Sequence, residues 1–120
     1  MTALCMKQCR PPIAEGIISN YRYMLWRKIA RLEKSDTKLK FIESLTKTLF
    51  EYNNKDMGQK MYAVIHYTYM TTKEPADLKE ILARLSRAGT QVSQPAYYRI
   101  KSKALDLLDE RLAMIAAGIS

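Results

Sequence analysis

Apolar residues along this chain return every three or four positions rather than every two, which is a helical period. The first run is Ile18, Tyr21, Leu25, Ile29 and Leu32, a helix that follows Pro11-Pro12. Ser35 and Asp36 are good N-cap residues, and Leu39, Ile42, Leu45 and Leu49 then mark a second helix ending near Asn53-Asn54. A third begins near Asp56 and buries Met57, Met61, Val64, Ile65 and Tyr69. The stretch from Thr71 to Pro75 breaks the pattern. Pro75 suits the first turn of a fourth helix, whose apolar face is Leu78, Ile81, Leu82 and Leu85 and whose stop is Gly89. Ser93 is the predicted N-cap of a fifth, with Pro95 in its first turn, running to Ala117 before Gly118.

No alternating run bounded by a hairpin turn is present, and no repeat or low-complexity segment. The expectation is an all-α fold. Residues 1–120 form a single five-helix domain, with 1–54 an N-terminal helical part and 55–120 a part containing a C-terminal helix-turn-helix.

Charge adds a direction. The 120 residues carry 20 Lys and Arg against 12 Asp and Glu, a net +8, which favours a polyanionic partner. Residues 1–34 hold seven cations and two anions, and 94–103 hold Arg99, Lys101 and Lys103 with no anion. On the first helix Arg27, Arg31 and Lys34 share the polar face, which is either a solvated charged face or a phosphate-facing stripe. The acids of the last helix, Asp106, Asp109 and Glu110, are expected to face solvent.

Candidate chemistry is sparse. Cys5 and Cys9 are too few for a structural zinc site and read as free thiols of a reducing compartment. His66 lies among Tyr62, Tyr67 and Tyr69 with no acid or cysteine at catalytic spacing, so it reads as a packing or surface histidine. There is no Gly-rich phosphate loop and no Ser-His or Cys-His pair. An enzyme is not expected, nor a cofactor or metal. MTALCMKQCR lacks the apolar core of a signal peptide, and no run approaches a membrane span. The expectation is a cytoplasmic protein with no membrane partner.

The last two helices and their connector form a helix-turn-helix candidate. Helical phase from Ser93 turns Tyr97, Ile100, Ala104 and Leu108 inward, with Val92 as the apolar plug between the helices. Gln94, Pro95, Arg99 and Ser102 then face outward, flanked by Tyr98 and Lys103. In a major groove Gln reads adenine and Arg reads guanine, while Lys101, Lys103, the Tyr98 hydroxyl and Ser93 suit phosphates. The stretch from Leu85 to Ser93 is longer than the usual connector of about three residues. A capped helix with cations on its outer face is also common in all-α proteins that read nothing.

The run Val92-Ser93-Gln94-Pro95-Ala96-Tyr97-Tyr98-Arg99-Ile100-Lys101, followed by Lys103-Ala104-Leu105, resembles the C-terminal end of the ArpU/RinA-type phage transcriptional regulators. More distantly, it is similar to the promoter-reading fourth region of bacterial sigma factors. The preceding Ala63–Tyr69 segment, an aromatic run before a short helix, also looks like that family. The resemblance spans about residues 55–112 and is clear at 92–105. It implies a small cytoplasmic regulator of phage or prophage genes that binds double-stranded DNA through Gln94, Tyr98, Arg99 and Lys103. The long 86–92 connector departs from the family pattern.

A second reading is a protein-interaction adaptor, with RNA polymerase or another phage protein as partner. It rests on the apolar stripe Leu105, Leu108, Leu112 and Ile115, widened by Leu107 and Met114, which equally suits core or a homodimer seam.

Overall fold

The computed structural model describes residues 13–29 and 37–118. The described residues are helical, with no strand among them. The helices are α1 (Ile13–Ser19), α2 (Tyr21–Ile29), α3 (Thr37–Lys47), α4 (Lys55–Ile65), α5 (Leu78–Arg87) and α6 (Gln94–Ala116). A 3₁₀ turn, Thr48–Glu51, extends α3, and a π-helical turn, His66–Met70, extends α4. These are the five predicted helical segments, the first of them interrupted.

The interruption is at Asn20. Ser19 Oγ and Asn20 Nδ2 both donate to Gly16 O, at 3.0 and 3.3 Å. Side chains that bond the preceding turn compete with the backbone ladder and bend it. The chain restarts at once, since Met24 N donates to Asn20 O at 3.0 Å. The predicted stripe of this segment fades along α2: Ile18 and Tyr21 are buried, Leu25 is half-buried and Ile29 is exposed. Leu32 and the predicted caps Ser35 and Asp36 lie outside the described residues, as do Cys5 and Cys9.

Pro75 does not start α5. Asp77 does, in extended conformation, with its carboxylate accepting from Glu80 N at 2.9 Å. Glu80 in turn accepts from Ala76 N, so donors at this helix start are covered from both sides. The other end is as predicted. Gly89 takes φ +91, Thr90 N reaches Leu85 O at 2.9 Å and Gly89 N reaches Ser86 O at 3.0 Å. That is a Schellman stop, which needs a residue free of a Cβ penalty at positive φ.

The core joins Ala14 and Ile18 of α1 to Leu39, Ile42 and Leu45 of α3, Met61, Val64 and Ile65 of α4, and Ile100, Ala104 and Leu108 of α6. α6 is the spine. It lies chiefly against α4 and α1, while α5 packs on the π-helical turn. One expectation about α6 is overturned. Asp109 does not face solvent: it is buried, and its Oδ1 accepts from Ala14 N at 2.7 Å. A carboxylate at the first turn of α1 satisfies a donor that the helix itself leaves open.

Two arginines fix the loop after the π-helical turn. Arg22 Nε donates to Thr71 O at 2.6 Å and Nη2 to Thr68 O at 3.3 Å. Arg84 Nη1 donates to Lys73 O at 2.9 Å and to Thr71 Oγ1 at 3.1 Å. Burial and the nearby Arg84 pull the Arg22 guanidinium below its ordinary range, against the opposing pull of Glu74.

Candidate nucleic-acid interface

The start of α6 is built by its own sequence. Ser93 is extended, at φ −78 and ψ 165, and its Oγ accepts from Ala96 N at 3.3 Å. Pro95 lies in the first turn, where no backbone donor is needed. From this start the helical phase divides the adjacent tyrosines. Tyr97 is 2% exposed and Tyr98 49%.

Tyr97 anchors the helix. Its hydroxyl is 2.7 Å from Thr68 Oγ1 in the π-helical turn, and burial raises its pKa, with the Thr68 bond acting the other way. Ile100, Ala104 and Leu108 continue the inner face. Gln94, Pro95, Tyr98, Arg99, Ser102 and Lys103 are all exposed, as is Ser93. Among the described residues Arg99 has no ion-pair or hydrogen-bond partner. Lys101 differs from the expectation for an outward cation. It is half-buried, with Nζ 5.8 Å from both the Tyr97 and Tyr98 rings, so its charge rests between two aromatic faces.

The fold adds neighbours that helical phase along α6 does not reveal. A groove beside α6 is lined by Met57 and Lys60 of α4, Gln91 and Val92 of the connector, and Ser93, Ala96, Arg99, Ile100 and Lys103. Lys60, Arg99 and Lys103 thus line one groove from two helices. Lys60 is also 3.0 Å from Asp56 across one turn of α4. Lys103 Nζ lies 5.2 Å from the Tyr52 ring, which places it over the end of the 3₁₀ turn. Lys60 carries no sequence signal for this role, because its neighbours are set by packing of α4 on α6.

Of the N-terminal stripe, Arg27 is not brought to this groove. Arg27 lies on α2 against Tyr23, and α2 packs on α1, α3 and the π-helical turn. Arg31 and Lys34 lie outside the described residues.

His66 has the surroundings of a packing residue. Its ring stacks on Tyr62 at 5.9 Å and meets Tyr67 edge-on at 5.0 Å. Burial lowers its pKa from the ordinary 6.5. Among the described residues no three His, Cys, Asp or Glu side chains gather as a metal site requires, and no helix is long and apolar enough to cross a membrane. No protein-family model, curated protein or solved structure matches this chain.

Proposed function

We propose that this protein is a transcriptional regulator of the phage type that binds double-stranded DNA, with α5, the 88–93 connector and α6 acting as a helix-turn-helix. The reading rests on one observation above others. The outer face of α6 exposes Gln94, Arg99 and Ser102 together, with Arg99 free to pair and Lys60 and Lys103 lining the groove beside it. Gln and Arg are the side chains that pair bidentately with adenine and guanine edges, and flanking cations supply the phosphate contacts that fix register. The capped start of α6 and the Gly89 stop support the motif. Here α4 rather than α5 is the close wall of α6, so α4 takes part in carrying the reading helix.

Selection of bound sites from random duplex DNA at two salt concentrations tests the reading. A motif is expected to be enriched at both. Arg99→Ala should cost about 1–3 kcal/mol at one base step and relax specificity there. Lys103→Ala should weaken all sequences alike and lower the salt slope by about one. Binding by both variants like that of the parent would remove the assignment.

A second reading is favoured by a different observation. Met114 and Ile115 are exposed at the end of α6, next to half-buried Leu112. As a seam with a second copy, or with RNA polymerase, this end would serve an adaptor that reads no sequence. Salt-sensitive DNA binding without an enriched motif would support it.

A further inference from the structure

On α2, aromatic side chains face solvent where an amphipathic helix ordinarily shows polar ones. Tyr23 is 62% exposed and Trp26 53%, one turn apart on the same helix. Neither ring is loose. The Trp26 indole N–H donates to Thr72 O at 3.0 Å. The Arg27 guanidinium lies 5.6 Å from the Tyr23 ring centroid, and its Nη1 donates to the Tyr23 hydroxyl at 3.0 Å. Both rings line a shallow cleft whose opposite side is Thr72, Lys73 and Glu74. Rings already held in place bind a flat partner with little further loss of side-chain freedom.

Among the described residues cations outnumber acids around the rings. α2 carries Arg22, Arg27 and Lys28 and no acidic residue, and Lys73 adds a cation across the cleft. Among the described residues the cleft's one carboxylate, Glu74, lies 3.6 Å from Arg22. A protein-binding centre is ordinarily depleted of charge. A membrane-surface helix needs its apolar face free, whereas Tyr21 of α2 is buried against the fold. Fixed aromatic faces among cations match the flat bases and phosphates of an unpaired strand. A duplex offers its phosphates here but keeps its base faces stacked.

We infer that the α2 cleft binds single-stranded nucleic acid, with Tyr23 and Trp26 stacking on bases and Arg27, Lys28 and Lys73 beside the phosphates. This surface is separate from the outer face of α6, so the inference does not depend on duplex reading by α6.

Trp26 is the single tryptophan of the chain, so its emission reports on the cleft directly. The full chain is titrated with oligothymidylate of about 12 nucleotides, a length in the range of small single-strand sites. Parallel titrations use the matching duplex, oligouridylate, and vesicles of phosphatidylcholine with phosphatidylserine. Single strands are expected to quench Trp26 in a salt-sensitive way, and the stronger of the two oligomers identifies DNA or RNA as the strand. Tyr23→Ala should weaken single-strand binding about 10-fold, with its helical content checked by circular dichroism. Arg99→Ala should leave single-strand binding unchanged, whatever it does to duplex binding. Unchanged Trp26 emission, equal quenching by the duplex, a response to vesicles alone, or parental affinity in folded Tyr23→Ala would each overturn the inference.

Discussion

Asp109 accepts the backbone N–H of Ala14 across 95 residues of sequence. Helix capping and hydrogen bonds to a charged group each contribute about 1–2 kcal/mol. Asp109→Ala should therefore lower stability by about that amount in urea denaturation, and Asp109→Asn by less, since the amide oxygen can still accept. Nothing near Asp109 in the sequence marks it. Asp106 and Glu110 beside it are exposed, and only the distant α1 distinguishes the three. His66 makes a second test at this scale. Burial among tyrosines disfavours the charged imidazole, so the unfolded chain takes up the proton first as pH falls. This contribution is full above 6.5 and is lost as pH falls below that value toward the lower pKa of the folded state. His66→Gln should flatten the pH dependence of the urea midpoint as pH falls below 6.5. The phase of Tyr97 and Tyr98, by contrast, was legible, because it follows from a cap and a helical period within six residues.

Elements with local punctuation were readable in advance. The Gly89 stop and the Ser93 start use only residues within a turn of the boundary. The break at Asn20 depends on two side chains bonding one carbonyl, which periodicity does not register. The π-helical turn is hidden for a further reason: its Thr68 carbonyl and hydroxyl are matched by Arg22 from α2 and Tyr97 from α6. Arg22→Met should therefore loosen residues 68–74 first, seen as faster amide hydrogen exchange there than in α6. Gly58 of α4 gives a prediction of opposite sign to propensity. Alanine in place of glycine within a helix ordinarily stabilises by about 1 kcal/mol. At Gly58 an added Cβ would stand 2.7 Å from Leu49 O, a backbone atom that cannot swing aside. Gly58→Ala should destabilise by about 1–3 kcal/mol, lowering the calorimetric midpoint.

For the molecule as a whole, α6 is the spine and carries the proposed reading surface. Its 23 residues extend about 35 Å, against a longest dimension of 47 Å. Arg111 still contacts the body through Glu51 at 2.7 Å, whereas Ala113 to Ala116 are exposed. Truncation after Arg111 should keep the fold by circular dichroism, and sedimentation of the two forms then shows whether the lost end held two copies together. How far a site could be read from sequence also divides at this scale. One helix's outer face follows from phase, but a groove shared by Lys60 and Arg99 exists only once α4 and α6 meet. The bond from Asp109 to Ala14 carries a consequence in time. A ribosome makes Ala14 95 residues before Asp109, its capping side chain, and before the α6 wall. Until the chain through Asp109 has emerged, α1 lacks that cap and its α6 wall and has chiefly α2 and the π-helical turn beside it, and a helix of that length is not stable alone in water. Although it is made well before α6, α1 must therefore be among the last elements to settle, and a nascent chain stalled before α6 should remain open to protease at α1 while it waits.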